Sequence, residues 1–314
     1  MPNFDFLRTH HAPVWIRLVR VRMINKIGLV GIGLVGTAIA EQLLAAHFHV
    51  IGFDTDSAKC EHLEQSGGKT AHTPAEVAQQ TDRVVLSLPD NEAVRQVIEG
   101  PGGVLQATTL PTYIIDTTTG DPEETIRLAQ RLAERGICFL DATISGSSEQ
   151  VRNRQAVFMV GGEKAAFETC RDVLDAVSEK VFYLGPSGSG SKAKLASNLI
   201  LGLNRAALAE GLVFASKLGL EPEAFLELLK VTPAYSAAMD TKGKKMLSRN
   251  FAPESRIRQH HKDVSIILKY AEKTGQELPL SRVHLDILEK SIAAGDGEMD
   301  NAAVIREIER RKKL

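Results

Sequence analysis

The sequence has little cysteine and few aromatic residues. Its 314 residues include three cysteines, Cys60, Cys138 and Cys170, which form no CxxC pair. Neither a disulfide framework nor a cysteine zinc site is therefore predicted. Aromatic residues make up only 5% of the chain, against 25 glycines. This balance favours an α/β fold with tight backbone turns over an all-β sandwich.

An excess of charge of one sign is also lacking. Lys and Arg number 38 and Asp and Glu 39, for a formal net charge of −1, so we expect no nucleic-acid partner and no membrane-binding surface. The longest uncharged apolar run, residues 27–40, is shorter than the roughly 18 residues that span a membrane. The nine histidines are not arranged at ligand spacing, so no metal site is predicted.

The first 23 residues differ from the rest of the chain. They carry four arginines against one acid, and Arg17 and Arg20 interrupt the apolar core that a secretory signal needs. Met23 stands directly before the first predicted strand. We expect residues 1–23 to be a disordered N-terminal extension and the protein to be cytoplasmic.

Strand and helix patterns alternate from residue 25 to residue 184, which predicts βαβ units and a largely parallel sheet. Strands are expected at 26–31, 49–54, 83–88, 113–117, 137–141, 157–160 and 181–184. Helices are expected at 34–46, from 74, and at 122–135, then at 192–218, 222–230, 236–247, 256–274 and 281–293. Residues 73–76 read as a capping box with proline at the first helical position, and residues 121–124 repeat this capping pattern. The predicted fold is thus a Rossmann-type dinucleotide-binding domain at 24–187, followed by an all-α substrate and oligomerisation domain at 188–314.

A glycine cluster follows the first predicted strand and opens a helix. It reads Gly-Ile-Gly-Leu-Val-Gly, the G-x-G-x-x-G pattern of a dinucleotide-binding turn in its expected βαβ setting. Gly31 permits the tight turn, Gly33 lets backbone amides approach a pyrophosphate, and Gly36 allows close helix packing. Leu34 and Val35 complete this predicted cofactor loop. The competing interpretation is a glycine-rich turn without a ligand.

An acidic residue ends the second predicted strand. Asp54 stands 18 residues after the last glycine of the cluster, where a carboxylate accepts hydrogen bonds from ribose hydroxyls and repels a 2′-phosphate. The pattern predicts NAD as the preferred cofactor, with NADP as the second option because Lys59 is nearby. The alternative role for Asp54 is to cap the next helix.

Polar residues also follow the fifth predicted strand, at the carboxyl edge of the sheet where α/β folds bind ligands. In the sequence Asp-Ala-Thr-Ile-Ser-Gly-Ser of residues 141–147, Ser145 and Gly146 offer a hydroxyl and free amides that suit a small carboxylate. Serine and glycine also dominate ordinary turns. A turn without a ligand is therefore the alternative.

Lys194 and Asn198 stand four residues apart near the start of the long helix, so they share one helical face. The residues around them are mostly apolar. Burial there would lower the pKa of Lys194 into the range useful for acid–base catalysis. The alternative is a solvated lysine on an exposed face.

These motifs, in this order, resemble those of the β-hydroxyacid dehydrogenase family, which includes 3-hydroxyisobutyrate dehydrogenase and tartronate semialdehyde reductase. The resemblance extends from residue 24 to the last helices. The family's D-A-P-V-S-G-G motif corresponds to residues 141–147, its M-V-G-G to residues 159–162, and its G-x-G-x-x-x-K-x-x-N-N to residues 188–198. The sequence departs from these patterns at Thr143, Ser147, Gln150, Arg154 and Ser197. We expect those side chains to reshape the substrate pocket.

The resemblance implies hydride transfer between a nicotinamide cofactor and a small β-hydroxy acid or its semialdehyde. It implies Lys194 as general acid/base, with Asn198, Ser145 and Gly146 binding the substrate in a cleft between the domains. Further cofactor contacts are implied at Leu88, Pro89, Thr119 and Lys262. The family's helical domain also implies a homodimer or homotetramer.

Two other functions fit the same fold. One is a non-catalytic NAD(P)-binding sensor or scaffold, because a fold does not establish an activity. The other is an imine-reducing relative, which would carry a different residue at position 194. The presence of both Lys194 and Asn198 favours the hydroxyacid dehydrogenase.

Overall fold

The computed structural model describes residues 25–311. The predicted extension at residues 1–23 lies outside them. Eight strands form one sheet in the order β3-β2-β1-β4-β5-β6-β7-β8. Their bounds are Lys26–Val30 (β1), His49–Phe53 (β2), Lys69–Thr70 (β3), Arg83–Leu86 (β4), Tyr113–Asp116 (β5), Cys138–Ser145 (β6), Val157–Gly161 (β7) and Lys180–Gly185 (β8). All neighbouring strands are parallel except β6 and β7.

Helices cover both faces of the sheet. After β8 the described chain contains helices and no further strand. The first group comprises Leu34–Ala45 (α1), Ser57–Gln65 (α2), Pro74–Gln80 (α3), Asn91–Glu99 (α4), Pro122–Ala133 (α5), Ser148–Arg152 (α6), Lys164–Thr169 (α7) and Arg171–Val177 (α8). The second comprises Ser189–Lys217 (α9), Pro222–Lys230 (α10), Lys244–Ser248 (α11), Ile257–Thr274 (α12), Pro279–Ala293 (α13) and Val304–Arg310 (α14). The predicted order, an α/β unit followed by a helical one, is confirmed.

Local sequence signals set several of these helix starts. The Thr73 hydroxyl accepts a hydrogen bond from the Glu76 amide at 3.1 Å, and Pro74 occupies the first turn of α3. The Asp121 carboxylate accepts from the Glu123 amide at 2.9 Å at the start of α5. Both caps were predicted from the sequence, because a cap depends on residues only a few positions apart.

The sheet is buried on both faces, as expected for parallel strands. Along β1, Ile27 and Leu29 pack into one apolar layer and Val30 into the other. A third core lies within the helical part, where Leu208 and Leu212 of α9 pack among the later helices. The long helix α9 also contacts β6 and β7. It therefore joins the sheet to the helical core.

The structure corrects several predicted bounds. The fifth predicted strand, 137–141, is β6 and extends to Ser145, because residues 141–145 pair antiparallel with β7. The short strand β3 was not predicted. The predicted helix at 236–247 is a π-helical turn, Met239–Gly243, followed by α11. The helix α14 was missed.

The helix α9 is long and apolar enough, by length and composition alone, to cross a membrane. This is weak evidence, since the core helix of a soluble protein passes the same test. Its inward face carries Lys194, Asn198 and Arg205, all buried among other helices. It serves here as the central helix of the helical part.

Candidate active site

The glycine cluster forms the turn between β1 and α1. Gly31 has φ of +92°, and a Cβ there would lie 2.3 Å from the Ser87 carbonyl oxygen. A Cβ on Gly36 would lie 2.0 Å from the Gly31 carbonyl oxygen, so the helix packs closely on the turn. Open space surrounds Gly33, which begins α1 without a side-chain cap. The first amides of α1 are thus accessible to an anionic group such as a pyrophosphate.

Asp54 lies beside this turn. Its carboxylate accepts hydrogen bonds from the Ile32 amide at 2.7 Å and the Asp56 amide at 3.0 Å, and it contacts Lys59 Nζ at 3.3 Å. The helix α2 is capped by Asp56, which accepts from the Ala58 amide. The alternative role of Asp54 as the helix cap is therefore wrong.

Lys262 of α12 brings together two loops that were predicted to contact the cofactor. Its Nζ donates to the Pro89 carbonyl at 2.9 Å and to the Thr119 carbonyl at 3.0 Å. Leu88 precedes Pro89, and its amide donates to the Thr118 hydroxyl at 3.3 Å. The helical part thus holds two loops at the carboxyl edge of the sheet, on the side of the glycine turn.

The residues 141–145 occupy the last part of β6 rather than a loop. Ser145 ends the strand and is half-buried, and Gly146 follows with φ of +154° and is exposed. The buried Thr143 hydroxyl donates to the Gly190 carbonyl at 3.0 Å. This departure from the family proline ties β6 to the first turn of α9.

Asp141 fixes the start of α9 against the sheet. Its carboxylate accepts hydrogen bonds from the Gly188 amide at 2.8 Å and the Ser191 amide at 2.8 Å. These amides belong to the unpaired N–H groups at a helix N-terminus, which need acceptors when buried. The contact therefore sets where the next turn of α9, with Lys194, lies relative to β6.

Lys194 is buried, with 8% of its surface exposed. The pKa of its ammonium is lowered to about 8, mainly by burial; the negative charge of Asp263 opposes the shift and the positive charge of Arg205 adds to it. The alternative of a solvated lysine on an exposed face is therefore wrong. An amine with this pKa is present in both protonation states near neutral pH, as proton transfer requires.

Asn198 lies one turn after Lys194 on the same buried face. Its amide Nδ2 donates to Asp263 Oδ2 at 3.0 Å. Asp263 is itself buried, and desolvation raises the pKa of its carboxyl. Because Asp263 follows Lys262 directly, one turn of α12 connects the loops at Pro89 and Thr119 to the face of Lys194.

Most departures from the family motifs have local structural roles. Ser147 and Gln150 form a reciprocal capping box at the start of α6. Arg154 donates to the Asp175 carbonyl at 2.7 Å, and the Ser197 hydroxyl donates to the Lys194 carbonyl at 3.2 Å. These side chains make hydrogen bonds to neighbouring groups of the protein. The contacts give no support to the expectation that the side chains reshape the substrate pocket.

Sequence reasoning missed Arg205. It lies on the same stripe of α9 as Lys194 and Asn198, seven residues after Asn198, and only 4% of its surface is exposed. Helical spacing would have placed it there, since residues three or four apart recur on one face. Within residues 25–311, no cluster of three or more His, Cys, Asp or Glu side chains has the arrangement of a metal site.

Two models of known families match the chain. The NAD binding domain of 6-phosphogluconate dehydrogenase matches residues 26–185. The NAD-binding domain of NADP-dependent 3-hydroxyisobutyrate dehydrogenase matches residues 188–308. These matches cover almost all of the described residues.

Individual relatives match the chain over nearly their whole length. The chain is 34% identical to 2-(hydroxymethyl)glutarate dehydrogenase of Eubacterium barkeri, covering 90% of the chain and 94% of that relative. It is 29% identical to 2-hydroxy-3-oxopropionate reductase of Escherichia coli strain K12, covering 90% and 97%. A crystal structure of 3-hydroxyisobutyrate dehydrogenase from Salmonella typhimurium superposes with a TM-score of 0.83 at 26% identity, covering 90% and 99%.

Proposed function

Because the chain belongs to the β-hydroxyacid dehydrogenase family, we propose that Lys194 is the general acid/base of a nicotinamide-dependent dehydrogenase acting on small β-hydroxy acids. The observation that carries this proposal is the position of Lys194. It is a buried lysine with a pKa of about 8, one turn from Asn198. The substrates named for the relatives, 2-(hydroxymethyl)glutarate and 2-hydroxy-3-oxopropionate, define the first compounds to test.

The residues at the glycine turn fit a nicotinamide dinucleotide. The uncapped N-terminus of α1, the open space at Gly33 and the adjacent Asp54 carboxylate offer amides to a pyrophosphate and an acceptor to ribose hydroxyls. Leu88, Pro89 and Thr119, on the loops that Lys262 holds, would line the same site. When bound, the cofactor accepts or supplies the hydride.

NAD is the preferred cofactor in this proposal. The Asp54 carboxylate would repel a 2′-phosphate, and the nearest basic side chain, Lys59, is already paired with Asp54 at 3.3 Å and Asp56 at 3.7 Å. NADPH is accordingly expected to bind less tightly than NADH.

The remaining residues of the site bind the substrate and transfer its proton. Ser145 and Gly146 bind its carboxylate through a hydroxyl and backbone amides, and Asn198 holds the reacting oxygen. In the oxidation direction the neutral Lys194 amine takes the hydroxyl proton while the C–H hydride leaves the same carbon, so the alcohol becomes a carbonyl. In the reverse direction the ammonium returns that proton to the carbonyl oxygen.

A spectrophotometric screen tests the activity. Small hydroxy acids and their semialdehydes are assayed with NAD(H) and NADP(H), with the Lys194→Ala protein as the blank. Turnover of at least one β-hydroxy acid or semialdehyde by the wild-type protein alone is expected. A chain that binds NADH yet is inert to the whole panel would favour a non-catalytic sensor or scaffold.

A homodimer or homotetramer through the helical part completes the proposal. Phe214 near the end of α9 and Leu218 directly after it are each more than 60% exposed and stand four residues apart, so they are neighbours on one face. Exposed apolar side chains that lie together can mark protein–protein contacts. Light scattering after gel filtration measures the assembly, and Phe214→Glu with Leu218→Glu should dissociate it.

A further inference from the structure

Arg205 is a buried cation without a partner. Only 4% of its surface is exposed, and its Nη1 atom is fully enclosed and makes no hydrogen bond. Across residues 25–311, its guanidinium has no hydrogen-bonded or ion-paired group. An unpaired charge in a protein interior costs folding free energy, so such side chains are normally paired.

The two carboxylates nearest to Arg205 bind other groups. Asp300 accepts from Lys242 Nζ at 2.9 Å and from the backbone amides of Glu254 and Ala302 at 3.0 Å each. Asp263 accepts from Asn198 through Oδ2, and its buried Oδ1 makes no hydrogen bond. Both carboxylates attract Arg205 through space, yet neither is hydrogen-bonded to it. The guanidinium therefore keeps unused N–H donors that an added anion could accept from.

Arg205 lies on the same helical face as the candidate catalytic residues. Lys194, Asn198 and Arg205 lie along one buried stripe of α9 that faces α12. The charges of Lys194 and Arg205 are close enough that Arg205 contributes to lowering the Lys194 pKa. A substrate held at Lys194 and Asn198 thus extends toward a second cation.

Two imidazoles complete the surroundings of Arg205. Gly202, one turn after Asn198, has no room for a side chain, since a Cβ there would lie 2.4 Å from His260 Nε2 and 2.6 Å from His284 Cε1. The two rings lie 5.1 Å apart, and His260 Nε2 is buried without a hydrogen bond. Burial lowers the pKa of both histidines, so Arg205 supplies the charge and His260 a neutral polar group.

We propose that Arg205, with His260, binds a second carboxylate of the substrate, so that the protein acts on β-hydroxy acids with two acidic groups. This proposal rests on the proposed activity and names its substrate class. The first carboxylate binds at Ser145 and Gly146, the hydroxyl binds between Lys194 and Asn198, and the distal carboxylate pairs with the guanidinium. A guanidinium fits this task because its planar N–H groups match the two oxygens of a carboxylate.

A matched pair of substrates isolates this contact. 3-Hydroxyisobutyrate and 2-(hydroxymethyl)glutarate share the reacting unit, a hydroxymethyl group on the carbon next to a carboxylate. They differ in the third substituent, which is a methyl group in the first compound and a carboxyethyl group in the second. Only the second compound reaches Arg205 with a negative charge.

The test compares kcat/KM for the two compounds in wild type and in Arg205→Met. The wild-type protein is expected to prefer the diacid, and Arg205→Met is expected to lower the diacid-to-monoacid ratio about 10- to 100-fold, the usual effect of losing a charged hydrogen bond. Arg205→Lys, which keeps the charge, should restore part of the ratio. Leu208→Met, on the same buried face of α9, is a volume-conserving control that should leave the ratio unchanged.

A melting curve separates binding from a structural role. Arg205→Met removes an uncompensated buried charge and should melt at or above the wild-type temperature. A large loss of stability would identify a structural arginine and overturn the proposal. So would an equal fall in kcat/KM for both compounds, since Arg205 would then act only through Lys194.

The outcomes also separate this proposal from the proposed activity. Wild-type turnover of the monoacid with little or no preference for the diacid would support the activity and overturn the role of Arg205. Failure of the wild-type protein to oxidise either compound, or any other member of the panel of hydroxy acids, with either cofactor would overturn both.

Discussion

The buried hydrogen bond from Asn198 Nδ2 to Asp263 Oδ2, 3.0 Å long, joins the helix that carries Lys194 to the helix that carries Lys262. Since Lys262 holds the loops at Pro89 and Thr119, this contact couples the two ends of the candidate active site. Asp263 also attracts the Lys194 ammonium through space. One carboxylate thus orients the Asn198 amide and favours the protonated form of Lys194.

The pH dependence of the reaction follows from the Lys194 pKa of about 8. Oxidation requires the neutral amine, so kcat/KM for the hydroxy acid should rise with pH and level off above about 8. Reduction requires the ammonium, so kcat/KM for the semialdehyde should fall over the same range. Initial rates in both directions from pH 6 to 10 measure this, and parallel profiles would exclude Lys194 as the titrating group.

Replacing Asp263 by Asn should move that profile. The variant removes the negative charge that favours the Lys194 ammonium, so the pH at which oxidation reaches half its maximum should fall. The loss of the charged acceptor for Asn198 should also lower kcat by about 10-fold. A profile at the wild-type pH would show that Asp263 has no electrostatic effect on the lysine.

Asp54 should control the choice of cofactor. Asp54→Ala removes the acceptor beside the glycine turn and the charge that repels a 2′-phosphate, so NADH should bind roughly 10-fold more weakly and NADPH more tightly. Fluorescence titration of both cofactors measures this. The control is Asp56→Ala, which removes the cap of α2. Tighter binding of NADPH than NADH by the wild-type protein would contradict the NAD preference.

Lys262 should affect the cofactor more than the substrate. Lys262→Met releases the carbonyls of Pro89 and Thr119, so the KM for the cofactor should rise about 10-fold while the KM for the hydroxy acid changes less. Lys273→Met is the matched control, because Lys273 is on the same helix and pairs with Glu123. Equal changes in both KM values would show a general disturbance of the fold.

The sequence predicted features that depend on neighbouring residues and missed those that depend on tertiary contacts. The caps at Thr73 and Asp121 and the glycine turn at Gly31 were predicted because their residues lie close together in the chain. The extension of β6 to Ser145 depends on pairing with β7, which no local pattern encodes.

The candidate site shows the same division. The four-residue spacing placed Lys194 and Asn198 on one face, and the apolar surroundings correctly indicated burial of the lysine. The contact between Asn198 and Asp263 joins residues 65 positions apart and follows only from the packing of α9 on α12. Arg205 lies on the predicted face, but its lack of a partner is visible only in three dimensions.

The most direct test of this account is single-turnover hydride transfer by wild type and Lys194→Ala, measured at 340 nm with saturating cofactor and a β-hydroxy acid that the wild type oxidises. Lys194→Ala should lower the rate about 10²- to 10⁴-fold, the usual contribution of a general acid or base, while NADH binds both proteins with similar affinity. A Lys194→Ala protein that retains wild-type turnover would contradict the assignment of Lys194 as the general acid/base.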